Sequence, residues 1–203
     1  MVNLAGDHTV LVHVKEIKKT LYLLSELRYF VDTVRRKLFY HAHISPHLTC
    51  ASTVWDGYSD ILLNKLNVLH RRAVKLMISD SSLTTDTKLR YLGLLPFKEK
   101  LMFNKAVLVF KVYINLAPPY LKQLFICSIT RATYRVITLP KPRIDLFNTS
   151  FSFSGASLWN AIPTRIKPCN SLTSFEAQLH KCFRSRLLNF LVCNVYIHAC
   201  IVS

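Results

Sequence analysis

The sequence is poor in glycine and in acidic residues, and both shortages exclude classes of function. It has four glycines among 203 residues, and it contains no phosphate loop, dinucleotide fingerprint or nucleophile elbow. No two of its eleven Asp and Glu residues are adjacent. Polymerases and nucleases hold their catalytic metal ions with clustered carboxylates, which this chain lacks. We therefore expect no enzymatic activity from the chain alone, and no cofactor.

The cysteines form no recognisable framework. There are six of them, with no C-x-x-C pair and no compact disulfide spacing. The first residues also lack the basic start of a secretory signal peptide. Both features favour reduced thiols in a nuclear or cytoplasmic protein that is not secreted.

The best set of candidate metal ligands is His41, His43, His47 and Cys50. On a regular helix the last three would share one face and could bind zinc. Pro46 argues against a regular helix there. We interpret these histidines as packing or hydrogen-bonding residues and predict no metal, with a zinc-dependent enzyme as the alternative.

The last 17 residues, 187–203, carry no charged side chain. A helix that spans a membrane needs about 20 strongly apolar residues, and this tail is shorter and contains Asn189, Asn194 and His198. A membrane is therefore not the expected partner, although a tail anchor remains the alternative.

Positive charge is concentrated in the last two-thirds of the chain. The net charge is +16. Residues 1–60 hold seven Lys or Arg against six Asp or Glu, whereas residues 61–203 hold twenty against five. Such a balance suits a polyanionic partner, which is either nucleic acid or an anionic membrane surface. A solvated basic face without a partner is the alternative.

Hydrophobic periodicity predicts a mainly α, multi-helical fold with a small β or irregular insertion near 131–154. We expect strands near 134–139 and 150–153 within that insertion. Asp32 is a candidate N-cap, and Asn115 is a candidate left-handed C-cap. The expected helices cover about 15–30, 32–44, 61–78, 88–94, 97–115, 118–125 and 171–183.

The chain is organised around residues 154–163, which contain one of only two tryptophans. An alternating run, 149–153, leads into Gly155, which would permit a sharp turn. A short helix would follow and end at Pro163. Trp159 would then be the large apolar anchor that holds this elbow against the neighbouring helices.

Ser150 to Ala156, followed by Leu158, Trp159, Asn160 and Pro163, resembles a block near the C-terminus of non-LTR (LINE-type, jockey-like) retrotransposon reverse transcriptases. Further pieces agree with that family in the same order, over about residues 15–186. They are Arg36 to Tyr40, Pro46 with His47, Cys50, Leu63 to Leu66, Arg71 to Ala73, Leu116 to Pro118 with Tyr120 and Leu121, Leu139 to Arg143, and Ser171, Leu172, Ser174 and Phe175.

The resemblance implies a C-terminal fragment of an RNA-directed DNA polymerase. Residues 1–50 would be a thumb-like helical remnant, 51–186 the C-terminal helical domain, and 187–203 an uncharged apolar tail. The catalytic aromatic-x-Asp-Asp turn of the family is absent. The fragment would therefore be inactive alone and would bind RNA or single-stranded DNA within the parent reverse transcriptase, which is itself a second expected partner. The alternatives are a domesticated fragment that binds protein or chromatin, and a relic without function.

Two surfaces are candidates for contact with nucleic acid, and the second is the stronger of the two. The first is the outer face of the 61–78 helix, where basic side chains would contact phosphates. The second is the irregular segment, in which prolines hold the chain extended and a tyrosine accompanies the cations, as suits single strands. The residues are Lys65, Arg71, Arg72 and Lys75 on the helix, and Arg131, Tyr134, Arg135, Lys141 and Arg143 in the segment.

Overall fold

The computed structural model describes residues 4–50, 52, 60–125, 127–130, 133–140 and 150–185. The described chain is mainly helical, as predicted. It divides into two compact units, Met1–Lys100 and Leu101–Ser203. The predicted boundary near Cys50 lies inside the first unit, and the assignment of 1–50 as a thumb-like remnant stays a prediction.

The first helix is longer than expected. Helix α1 spans Leu4–Leu27 rather than beginning near Lys15. Its buried residues are spaced three or four apart, so the apolar stripe continues towards the N-terminus and explains the extra turns. This stripe packs against helix α4, which spans Asp60–Met77. The buried residues of α1 are Val10, Val14, Ile17, Leu21 and Leu24.

After a turn at residues 28–32, the chain is helical from Thr33 to Thr49. Asp32 caps helix α2 (Thr33–Phe39) as predicted, because its carboxylate accepts a hydrogen bond from the Arg35 backbone N–H at 3.0 Å. A π-helical turn, Tyr40–Ile44, then leads into helix α3 (Ser45–Thr49). A proline inside a regular helix clashes with the carbonyl four residues earlier, and the wider turn directly before Pro46 relieves that clash.

The C-terminal end of α4 is neutralised by cations from two neighbouring segments. Arg36 donates from Nη1 to the Leu76 carbonyl at 3.3 Å, and Lys88 donates from Nζ to the Ile78 carbonyl at 2.9 Å. The last carbonyls of a helix carry partial negative charge and lack partners inside the helix, so both contacts are favourable.

Helix α5 (Thr85–Leu92) ends at Gly93, whose φ of 70° is left-handed. This is the predicted stop, although the helix begins three residues earlier than expected, after the N-cap Thr84. Helix α6 spans Phe97–Tyr113. Asn115 follows it with a φ of 58°, which confirms the predicted left-handed cap. A short helix, α7, spans Pro119–Lys122.

Trp159 is the centre of the second unit and is 1% exposed. Its ring centroid lies 6.3 Å from that of Phe110, 6.1 Å from that of Tyr113 and 6.0 Å from that of Phe175. Phe110 and Phe175 stack on each other at 4.0 Å. The stack joins α6 to helix α9 (Leu172–Arg184), whose N-cap is Ser171. The prediction of Trp159 as the apolar anchor is therefore confirmed.

The predicted strand at 150–153 is wrong. Helix α8 spans Phe151–Ala161, and Ser150 caps it by accepting a hydrogen bond from the Phe153 N–H at 3.4 Å. The alternation of serine with phenylalanine imitates a strand, but a serine immediately before the helix satisfies a free backbone donor. The helix ends before Pro163, as expected.

Gly155 therefore lies inside a helix rather than at a turn. A Cβ atom there would lie 3.2 Å from Cγ2 of Val109 and 3.3 Å from Cζ of Phe125. Both distances are shorter than an ordinary van der Waals contact, so the neighbouring side chains would have to shift slightly. The glycine is needed because α6 and Phe125 approach the backbone of α8 closely, and no chain reversal is involved.

The β insertion is a small hairpin. Strand β1 (Cys127–Thr130) pairs in antiparallel fashion with strand β2 (Thr133–Ile137), close to the predicted strand at 134–139. Asn160 of α8 accepts from the Ile137 N–H at 3.0 Å and donates to the Ile137 carbonyl at 2.8 Å. The side-chain amide thus pairs with the end of β2 as a neighbouring strand would.

We expect substitution of Gly155 by valine to lower the free energy of unfolding by about 2 kcal/mol, because a branched side chain forces Val109 and Phe125 apart. Alanine should cost much less, since its single methyl needs only small shifts and its helix propensity exceeds that of glycine. Urea denaturation of both variants measures the difference. Equal stability of the valine variant and the unchanged protein would contradict the close approach.

Candidate nucleic-acid interface

Helix α4 presents four basic side chains on one side. Lys65, Arg71, Arg72 and Lys75 are all exposed. At 100° per residue they occupy an arc of about 120°, opposite the buried face of the helix. None of the four forms a salt bridge with a carboxylate among the residues that the structure describes. We call these four residues the α4 basic face.

The α4 basic face is long enough to contact more than one phosphate. Lys65 and Lys75 are ten residues apart, which corresponds to about 15 Å along the helix axis. A nucleic-acid backbone carries several phosphates over that length. The exposed Val68 lies between the cations along the helix, and the exposed Ile61 and Asn64 lie on the same side just before Lys65. Asp60, in the first turn, is the one acidic residue of the helix.

A buried histidine holds the opposite face of α4. His70 has no exposed surface, and it lies between Tyr40 of the π-helical turn and the segment before α6. Its Nε2 is 3.2 Å from the Leu95 carbonyl oxygen, and its Nδ1 is 3.0 Å from the Tyr40 hydroxyl. A carbonyl can only accept, so Nε2 carries the proton and Nδ1 accepts from the hydroxyl. Our sequence interpretation did not include His70, although its helical position on the buried face was the available signal.

His70 is held neutral. Burial, followed by the positive charge of Lys100, lowers the pKa of His70 to about 4. Burial also lowers the pKa of Lys100 to about 8. The Lys100 ammonium donates to the Ser45 hydroxyl at 2.7 Å and lies 5.6 Å from the centre of the Tyr40 ring. These contacts hold Lys100 beside the Tyr40 ring, whose hydroxyl is bonded to His70.

The histidines and the cysteine considered as zinc ligands lie in different surroundings and do not converge on one point. His41 and His43 are exposed, and the ring of His43 lies 4.7 Å from that of Phe39. Nδ1 of His47 is 3.2 Å from Nδ1 of His13 on α1. Cys50 is exposed. No three His, Cys, Asp or Glu residues within the described part of the chain are arranged to hold a metal ion.

The second predicted surface lies largely outside the described residues. Arg131, Lys141 and Arg143 belong to that undescribed part. Tyr134 and Arg135 lie on strand β2, but their side chains are outside the description as well. Contact of nucleic acid with this segment therefore stays a prediction.

No protein-family model, curated protein or solved structure matches this chain. The resemblance to non-LTR reverse transcriptases thus stays a prediction that depends on the quoted residues. Among the described residues, no helix combines the length and the apolar character required to cross a membrane. The predicted tail, 187–203, lies outside them.

We expect the free energy of unfolding to fall as the pH is lowered. The pKa of His70 is about 4 in the folded chain and 6.5 in the unfolded chain, so only the unfolded chain takes up a proton between these values. The contribution of neutral His70 to the free energy of unfolding should be fully present above about pH 6.5. Between there and pH 4 the free energy of unfolding should fall by up to about 3 kcal/mol. Denaturation curves over that range measure the loss.

A glutamine at position 70 separates this effect from general acid sensitivity. His70→Gln should be less stable at neutral pH, because it loses the fitted hydrogen bonds, but its stability should change less between pH 6.5 and pH 4. His43→Gln, at an exposed position, serves as the matched control and should keep the full pH dependence. An undiminished pH dependence in His70→Gln would show that other groups are responsible.

Proposed function

We propose that this chain binds RNA or single-stranded DNA through the α4 basic face, as a C-terminal fragment of a non-LTR retrotransposon reverse transcriptase. The observation that carries the proposal is the set of four exposed cations on one side of a helix whose other side is firmly buried. Cations paired with carboxylates would have little charge to offer, and none of these four is paired with a described carboxylate.

The expected mode of binding is electrostatic and largely independent of sequence. Lysine and arginine side chains that reach phosphates release counterions from the nucleic acid, and this release provides the free energy. Such contacts position a strand without reading its bases. A surface of this kind suits a fragment that holds template RNA or target DNA while another part of the parent enzyme performs the chemistry.

The fragment itself is proposed to be catalytically inactive. The support comes from the sequence, which has no adjacent acidic residues and no aromatic-x-Asp-Asp turn to hold two metal ions. Its role is therefore accessory binding in the parent enzyme. A domesticated fragment that binds protein or chromatin is the rival function, and selective capture of one protein partner without affinity for nucleic acid would favour it.

Replacement of the α4 basic face by glutamine should weaken binding and its dependence on salt. For a variant that carries Lys65→Gln, Arg71→Gln, Arg72→Gln and Lys75→Gln, we expect the slope of log K against log salt for single strands to become shallower by about 3, at about 0.7 per lost phosphate contact. Fluorescence anisotropy with single-stranded RNA, single-stranded DNA and duplex DNA measures the slopes between about 50 and 200 mM salt.

The control removes the same charge from exposed positions elsewhere. It carries Lys98→Gln, Lys122→Gln, Lys181→Gln and Arg184→Gln. Both variants should unfold within about 0.5 kcal/mol of the unchanged chain, because substitutions at exposed positions have small effects. Identical losses of affinity in the two variants would mean that net charge, rather than the α4 basic face, attracts the nucleic acid. No binding at low salt would refute the proposed function.

The irregular segment is tested separately. Alanine at Arg131, Arg135, Lys141 and Arg143 should reduce affinity for single strands more than affinity for duplex DNA, because arginine and tyrosine side chains can stack on unpaired bases. The same anisotropy titrations measure the ratio. Equal reductions for single strands and duplex would assign the segment a purely electrostatic contribution.

A further inference from the structure

Helix α1 is followed by an ordered corner that exposes two aromatic rings. After the helix ends at Leu27, the next backbone N–H groups remain bonded to the last turn: that of Arg28 to Leu24, that of Tyr29 to Glu26 and that of Phe30 to Leu27, at 3.0–3.3 Å. The corner is thus held by regular hydrogen bonds. Tyr29 nevertheless remains 69% exposed and Phe30 84% exposed.

A third exposed ring lies on α1 before the corner. Tyr22 is 67% exposed and lies five residues, or about 8 Å along the helix axis, before the end of α1 at Leu27. A single exposed aromatic side chain is ordinary, but several close together mark a surface that meets a partner. We call Tyr22, Tyr29 and Phe30 the aromatic corner.

Cations accompany each part of the aromatic corner. The guanidinium carbon of Arg28 lies 4.6 Å from the centre of the Tyr29 ring, in a cation–π contact. Lys15 and Lys18 are exposed, and they lie seven and four residues before Tyr22 on the same side of α1. Flat rings beside cations are the combination with which proteins bind single-stranded nucleic acid: the rings stack on bases and the cations contact phosphates.

We infer that the aromatic corner stacks against unpaired bases of RNA or single-stranded DNA. This inference depends on the proposed function and adds to it a preference for single strands, which the α4 basic face alone cannot supply. Every base has a flat face that can stack on an aromatic ring, so the interaction tolerates any sequence. Duplex bases are already stacked on each other and do not offer these faces.

An anionic membrane is the competing partner for rings beside cations. Insertion of Phe30 into lipid would bring nearby carboxylates towards hydrocarbon, because Asp32 caps α2 two residues away and Glu26 is exposed one turn before. Removing a carboxylate from water is costly. A base that stacks on one face of the ring leaves both carboxylates hydrated, and the structure therefore favours nucleic acid.

The aromatic corner belongs to the same compact unit as the α4 basic face. Arg36 of α2 bonds to the Leu76 carbonyl at the end of α4, next to Lys75. Phe30 is six residues from Arg36, so no more than about 20 Å of backbone separates them. A single strand of a few nucleotides can therefore reach from the aromatic corner to the C-terminal end of the α4 basic face.

The test compares two probes of equal charge in anisotropy titrations of the full chain. One is an unstructured RNA of about 12 nucleotides, and the other is a sugar–phosphate oligomer of the same length without bases. The unchanged protein should bind the RNA roughly tenfold or more tightly than the base-free oligomer, since stacking adds to the phosphate contacts. Equal affinity for both probes would overturn the inference and leave the proposed function in place.

Leucine variants assign the effect to the rings. Tyr29→Leu with Phe30→Leu should weaken binding of the RNA roughly tenfold and leave binding of the base-free oligomer unchanged, because leucine is apolar but has no flat face. Tyr91→Leu, at an exposed tyrosine on α5, is the matched control and should alter neither affinity. Thermal melting confirms that each variant is folded. If the double leucine variant discriminates between the probes as well as the unchanged protein, the inference is wrong.

Two further results separate the inference from its rivals. Failure of the unchanged protein to bind either probe at low salt would remove the proposed function and this inference together. Binding to vesicles of phosphatidylserine and phosphatidylcholine that persists in the double leucine variant, without discrimination between the two oligomers, would assign the surface to a membrane instead.

Discussion

The buried contact of His70 with Tyr40 and Leu95 determines how helix α4 is oriented in the first unit. A helix has one rotational degree of freedom about its axis, and a polar side chain that must find partners in the interior fixes it more strictly than apolar contacts alone. Because His70 satisfies both ring nitrogens inside, the opposite side of α4 must face solvent. The α4 basic face is therefore a consequence of what the helix buries. Two cations at the C-terminal end of α4 secure the helix further.

The second unit depends on a different constraint, which is close contact between aromatic rings and a helix backbone. Trp159 packs among the rings of Phe110, Tyr113 and Phe175, and the absence of a side chain at Gly155 lets α8 approach Val109 of α6 closely. One small and one large residue, four positions apart on α8, thus serve the same packing. Rings that interdigitate at fixed distances tolerate little change in volume.

Much of this architecture was predictable because it follows from local rules. The caps at Asp32 and Asn115 follow from side-chain chemistry, and the buried face of α4 follows from helical periodicity, which also places its four cations outside. The failures have both local and tertiary causes. Residues 150–153 alternate like a strand, yet they form a helix, because Ser150 caps it and the Phe151 ring packs edge-on against Phe125. Helical spacing places His70 on the buried face of α4, but it does not indicate the partners of the ring, which are thirty and twenty-five residues away.

Some of the positive charges are used in contacts within the protein and are not available to a partner. A total of +16 suggests a polyanionic partner, but several of the cations have structural roles. Lys88 and Arg36 bond to the end of α4, Lys100 to Ser45, and Lys105 to Ser154, and burial lowers the pKa of Lys105 to about 8. These side chains are held by contacts within the protein and are therefore less free to contact phosphates. The proposal of nucleic-acid binding therefore depends on cations that are exposed and lack a described carboxylate partner, and four of these lie together on one side of α4. Composition alone suggests a polyanionic partner, and burial decides which cations are exposed enough to meet one.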